Sequence, residues 1–178
     1  MKNILLTVIM LLISISFNAS SEEWWSGSFL DTTKKEKIKH KKWTINKVVD
    51  QMTDLSEVTI WTHAEAGTGN PNKLPAQLVL VCNNGIRSVY IDWRGVIGKG
   101  DIEVTTRFDK GEVKINSWGI HNSMESSYTH KPKILFNELQ SYKNFKAKII
   151  PWASNPETVV FDLTGLKYTL KEIKECKV

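Results

Sequence analysis

The chain has 178 residues, 41% of them hydrophobic, a formal net charge of +5 and two cysteines. A single apolar run near its start argues against a polytopic helical membrane protein, and two cysteines so far apart offer no thiolate metal motif. The charge is concentrated in one short segment, and no nucleic-acid partner is expected.

Met1-Lys2-Asn3 precedes the apolar run Ile4 to Phe17, after which Ala19-Ser20-Ser21 give way to Glu22-Glu23. One positive charge, an apolar stretch too short for a comfortable span and a small-x-small site predict a signal peptide over 1–21, cleaved near Ser21, and export to the periplasm. No cysteine stands at the cleavage site, so lipid attachment there is excluded. Cleavage removes Lys2 and leaves +4 on about 157 residues, which suits a single domain able to bury most of its apolar surface.

Residues 22–42 show no sustained apolar period and read as a basic leader or linker. Lys34, Lys35, Lys37, Lys39, Lys41 and Lys42 place six positive charges within nine positions. Such a run suits electrostatic attachment to an anionic membrane surface or a glycan polymer; a solvated tether is the plainer reading. Trp24 and Trp25 argue against complete disorder, because paired tryptophans usually cover a surface.

From Trp43 onward the pattern changes to short alternating segments bounded by turn residues. Strands are predicted over 43–49, 57–64, 76–83, 86–93, 101–108, 112–120, 145–151 and 158–163. Asn83-Asn84-Gly85 and Asp109-Lys110-Gly111 supply the positive-φ positions of tight hairpins. Pro132 opens a helix over 132–143 with Leu135, Leu139 and Tyr142 on one stripe. Thr164 is the expected cap of a second helix over 165–176, whose Leu166, Leu170 and Ile173 repeat that spacing and put Cys176 on the buried face. An even cysteine count in an exported chain favours a disulfide, here between Cys82 in a core strand and Cys176. The fold class is mainly β: an antiparallel β-sandwich or strongly bent sheet with two short helices, forming one domain over 43–178.

Motifs for catalysis are weak. The chain has no Gly-x-Ser-x-Gly elbow, no H-E-x-x-H and no C-x-x-C, and His63, His121 and His130 read as surface or half-buried residues. Gly67-Thr68-Gly69-Asn70-Pro71-Asn72 lacks the Gly-Lys-Ser/Thr of a phosphate loop and reads as a turn. Asp92, Glu103 and Glu112 lie on or beside adjacent strands, but nothing shows the carboxyl separation that glycoside hydrolysis requires. No catalytic residue, metal or cofactor is expected. Among the seven tryptophans, Trp93 shares a face with Val89 and Ile91 and is assigned to the core. Trp118 alternates with Asn116 and Lys114 and is assigned to the polar face that carries Glu103 and Arg107.

Pro75-Ala76-Gln77-Leu78-Val79-Leu80-Val81-Cys82, Tyr90-Ile91-Asp92-Trp93, Val104-Thr105-Thr106-Arg107-Phe108-Asp109-x-Gly111, Trp118 and the closing Val160-Phe161-Asp162-Leu163-Thr164-Gly165-Leu166 with Cys176 occur in an order that resembles the type VI secretion accessory family called VasI or TagO. The likeness runs over roughly 43–176. It departs in the leader, where family members commonly carry a cysteine-containing helical stretch and this chain carries lysines. The resemblance implies an exported accessory protein without an assigned catalytic activity, acting beside an envelope-spanning apparatus. Two other readings stand beside it: a phage or mobile-element envelope factor that blocks or modifies another system, and a protein that binds peptidoglycan or another glycan.

The segment VTTRFDKG then has two roles open to it. In the structural one, which is favoured, Ile102, Val104, Thr106 and Phe108 pack inward and Arg107 pairs with a carboxylate. In the functional one, Asp92, Thr105, Arg107 and Trp118 form a binding face for an envelope or secretion-apparatus protein.

Overall fold

The computed structural model describes residues 34–40, 42–67, 74–83, 85–173 and 176. The signal-peptide expectation, Trp24 and Trp25, and Lys41 lie outside them. All described residues belong to one compact unit.

Among the described residues eleven strands run β1 (Lys34–His40), β2 (Trp43–Val49), β3 (Ser56–His63), β4 (Ala66–Gly67), β5 (Gln77–Asn83), β6 (Ile86–Asp92), β7 (Asp101–Phe108), β8 (Val113–Ile120), β9 (Ser126–Thr129), β10 (Asn144–Ile149) and β11 (Glu157–Asp162). Helix α1 (Pro132–Leu139) lies between β9 and β10, and α2 (Leu166–Glu172) follows β11. The strands form one antiparallel sheet in the order β1-β2-β3-β5-β6-β9-β8-β7-β10-β11-β4. Only Ala64 and Glu65 separate β3 from β4, yet β3 pairs with β5 while β4 pairs with β11. The amide of Ala64 donates to Ala76 O at 2.8 Å and that of Glu65 to Val160 O at 2.8 Å, so this bend carries one strand from one side of the sheet to the other. The sheet therefore curls back toward its own beginning, the strongly bent form of the expected fold class.

Period-2 alternation fills the interior. Val58 and Ile60, Leu78 and Leu80, Val89 and Ile91, Phe145 and Ala147, and Val159 and Phe161 all point inward and are buried. Trp93 lies among them, and its Nε1 donates to Ser127 Oγ at 2.9 Å, satisfying the indole N–H. Helix α1 packs on β6 and buries Leu135, Phe136 and Leu139. Tyr142 lies beyond its end and stacks on Phe108 with centroids 4.7 Å apart, still covering the apolar stripe.

Three details correct the sequence reading. Thr164 does not cap α2: Gly165 holds the cap position at φ 93°, a left-handed backbone open to glycine, and the Asp162 carboxylate accepts from Thr164 N at 2.8 Å. Cys176 lies past the end of α2, yet it remains buried and bonds Cys82 across 94 residues. Part of the segment read as leader is β1, which pairs along its whole length with β2. Backbone ladders are blind to side-chain type, so a lysine-rich run can form an edge strand where charge discourages further pairing.

Candidate functional site

The β7–β8 hairpin decides which residues share a face. A two-residue turn would set Trp118 opposite Asp101, on the side of Glu103 and Arg107. The chain instead places Arg107 opposite Val113 and Ile102 opposite Trp118, with Asp109-Lys110-Gly111 as a three-residue turn. Asp109 adopts φ 45° and Gly111 N donates to Phe108 O at 2.8 Å. One extra residue shifts the register, and each one-residue shift moves every side chain to the other face.

Trp118 therefore does not share the outer face of Glu103 and Arg107. It is 2% exposed and points inward with Ile102 and Val104. Lys114 and Asn116 alternate with it as expected, but on the side that meets α1. There they line a groove of about 460 Å³ with Thr129, Lys131 and Glu138, where Lys114 Nζ donates to Glu138 Oε1 at 2.7 Å.

Asp92, Thr105 and Arg107 do lie on the outer face, but in two separate places. Between β6 and β7 stand β9 and β8, about 14 Å across the sheet at normal strand spacing, and the register sets Asp92 level with the start of β7, so Thr105 and Arg107 lie farther still along the strand. Among the described residues Arg107 pairs with no carboxylate. Its Nε donates to Gly111 O and its Nη2 to Lys110 O, both at 2.9 Å, so the guanidinium caps the carbonyls of its own hairpin turn. Around it, the register sets Val113 and Lys146 beside Arg107, and Ile115 and Lys148 beside Thr105. Val113 is 53% and Ile115 64% exposed, giving an apolar strip flanked by lysines.

The second place surrounds Asp92. Its carboxylate accepts from Arg94 N at 2.9 Å and ion-pairs with Arg94 Nε at 3.2 Å. Together with Glu57, Ser88, Tyr90, His121 and Tyr128 it lines an open groove of about 520 Å³. Tyr90 and Tyr128 are direct cross-strand partners, and Tyr128 stands opposite Gly119. The hydroxyl end of the Tyr128 ring occupies the space a Gly119 side chain would fill, since a Cβ there would come within 2.3 Å of Cζ. Burial raises the Tyr90 phenol above its ordinary pKa, and the charges of Asp92 and Glu57 add to the rise. Sequence reasoning missed both tyrosines because Tyr128 sits in the polar segment SSYT; the usable signal was Gly119 inside a strand, which often marks a close approach.

The remaining candidates are dispersed. Asp92, Glu103 and Glu112 form no pair, with Glu103 opposite Ser117 on β8. His63 lies 3.4 Å from the Gln77 amide and His130 3.5 Å from Asp101. Among the described residues no cluster of three or more His, Cys, Asp or Glu is placed to hold a metal, and no helix is long and apolar enough to cross a membrane. Lys42 is not a free leader charge: its Nζ bonds Asp162 at 2.6 Å and also Glu65. The backbone of Lys34, Lys35, Lys37 and Lys39 is strand.

No protein-family model and no curated protein sequence matches the chain. Among solved structures it is similar to invasion associated protein b from Bartonella henselae, with a TM-score of 0.52 and 16% identity over 77% of this chain and 94% of that one. That likeness is one of fold. The disulfide between Cys82 and Cys176 indicates an oxidising, extracytoplasmic environment.

Proposed function

We propose that this chain is an exported, non-catalytic interaction module that docks on a protein of the cell envelope through the outer face of β8, β7 and β10. The observation that carries the reading is the exposed strip of Val113 and Ile115 beside Thr105, Lys146 and Lys148. Exposed apolar side chains framed by charge suit a protein interface better than plain solvent, and the flanking lysines favour an acidic partner surface. The ordered sequence motifs favour a component of an envelope-spanning apparatus of the type VI secretion class as that partner. A fold shared with an invasion-associated protein suits an exported accessory role.

The test is a photo-crosslinking residue at position 115 of the exported chain, compared with the same residue at exposed position 133 on α1. A discrete adduct from 115 that disappears in Val113→Asp, with the secretory apparatus protein as its other half, supports the proposal. Equal labelling from both positions, or an adduct indifferent to Val113→Asp, overturns it.

A further inference from the structure

The groove around Tyr90 and Tyr128 is separate from the docking strip and has a different chemistry. Its floor is the outer face of β5 and β6, where Val81, Ser88 and Tyr90 project side by side, and Glu57 of β3 closes one side. The opposite wall is built by Tyr128 and Ser126 of β9 and by the loop that carries His121 and Ser123. That loop is held tight: His121 N donates to Ser126 O at 2.9 Å and Met124 N to His121 O at 2.8 Å. Tyr128 is 41% exposed, so part of its ring is available to a ligand, and His130 meets it edge-on at 5.7 Å.

The polar groups match hydroxyls better than ions. Asp92 is already neutralised by Arg94, and Glu57 Oε2 accepts from Asn83 Nδ2 at 3.4 Å. Each carboxylate keeps unused lone pairs for O–H donors, and the three serine hydroxyls can both donate and accept. An anion would meet the Glu57 charge, and an ammonium ion would compete with Arg94 for Asp92. A neutral pyranose presents what the groove can use: vicinal hydroxyls for the carboxylates and serines, and an apolar C–H face for a tyrosine ring. A volume of about 520 Å³ accommodates such a unit.

We infer that this groove is a saccharide-binding site for an uncharged pyranose unit, with Tyr128 as the stacking platform and Asp92 and Glu57 as hydroxyl acceptors. Gly119 is a positioning residue, because its missing side chain lets the Tyr128 ring sit where it does.

The experiment is an amide-shift titration of the full exported chain, disulfide intact, with N-acetylglucosamine trimer and with maltotriose, each at low and high salt. The expected result is saturable shifts at Tyr90, Ser126 and Tyr128 with at least one of the two sugars, unchanged by salt because the ligand carries no net charge. Tyr128→Ala should weaken binding roughly tenfold, about 1.4 kcal/mol. Asp92→Asn, a smaller change at a partly exposed position, should weaken it too, whereas Ile115→Ser on the docking strip should leave it unchanged. Shifts at those amides with neither sugar, binding lost at high salt, or wild-type affinity in both Tyr128→Ala and Asp92→Asn overturns the proposal. None of these outcomes bears on the crosslinking test at position 115, so the two readings stand or fall separately.

Discussion

Arg87 and Cys176 are bonded through the chain end: Arg87 Nη2 donates to the Cys176 carbonyl at 3.2 Å, and Arg87 stands directly opposite Cys82 in the β5–β6 ladder. Its guanidinium also lies 5.0 Å from the centroid of Phe136 on α1. The buried arginine thus ties together the disulfide, the end of the chain and the first helix. Arg87→Met keeps the side-chain bulk over Phe136 and removes the charged donor, so it should cost about 1.5–3 kcal/mol of stability. Urea unfolding measures this. The same substitution should cost clearly less in the Cys82→Ala, Cys176→Ala background, where the accepting carbonyl is no longer held in place.

The disulfide itself closes a loop with a sequence separation of 94. Its removal frees the unfolded chain, and the chain-entropy model puts the loss at about 4–5 kcal/mol. Urea midpoints for the oxidised chain and for the double alanine variant give the value. A difference below about 1 kcal/mol would mean that strain or residual denatured structure offsets the entropy.

Trp118 distinguishes the two parities of the β7–β8 hairpin. As a buried side chain against Ile102 and Val104 it should cost about 3–5 kcal/mol when replaced by alanine. Thr105→Ala, on the outer face, should stay within about 0.5 kcal/mol. Thermal melts of the two variants test this directly. A silent Trp118→Ala would return the residue to the solvent face.

This hairpin also marks how far alternation can be read. Eight of the ten described strands between Trp43 and Asp162 were legible from alternation bounded by turn residues, all but β8 with more than one buried apolar side chain on the inward row, and so was the pairing of Cys82 with Cys176. Parity across a turn was not, since Asp109-Lys110-Gly111 serves a two-residue or a three-residue connection, and only the ladder chooses between them. Strands β1, β4 and β9 were missed for a related reason. KKEKIKH, AG and SSYT lack an apolar row, and backbone pairing with a neighbour holds them in place. The Asp92 groove was out of reach because its tyrosines come from strands joined only by that pairing.

Two titrations should bracket the stability. Burial alone would raise the Asp162 carboxyl, but hydrogen bonds from Lys42 and Thr164 outweigh it and hold the pKa below the usual range. Asp109 is lowered in the same way, with bonds from Asn144 and Lys143 overcoming burial. A depressed carboxylate contributes stability above its unfolded pKa and loses it as the pH falls through the folded value, so the urea midpoint should drop on the acid side. Lys42 is raised by its bonds to Asp162 first and Glu65 second, so its contribution is full below the ordinary 10.5 and fades as the pH rises through the folded value. Asp162→Asn should reduce both limbs, leaving the Glu65 part of the alkaline one and the Asp109 part of the acid one. Added salt should shrink the Lys42 effect, because that ammonium group is exposed.

Gly119 offers a way to move an aromatic ring without removing it. A methyl group there would come within 2.7 Å of Tyr128 Cζ, hydroxyl oxygen and Cε2, so the ring must give way. These atoms form the far end of a partly exposed side chain, which can rotate outward without disturbing the sheet. Gly119→Ala should therefore change stability by less than about 1 kcal/mol, while alanine's stricter backbone preference partly offsets the lost contact. The ring should report the change: the α-proton shifts at position 119, set by the overlying Tyr128 ring in the wild type, should move toward ordinary strand values in both Gly119→Ala and Tyr128→Ala. A large loss of stability in Gly119→Ala would instead mean that Tyr128 is locked by its neighbours. In that case the β9 wall of the groove would be rigid, and Tyr128→Ala added to Gly119→Ala should restore the lost stability.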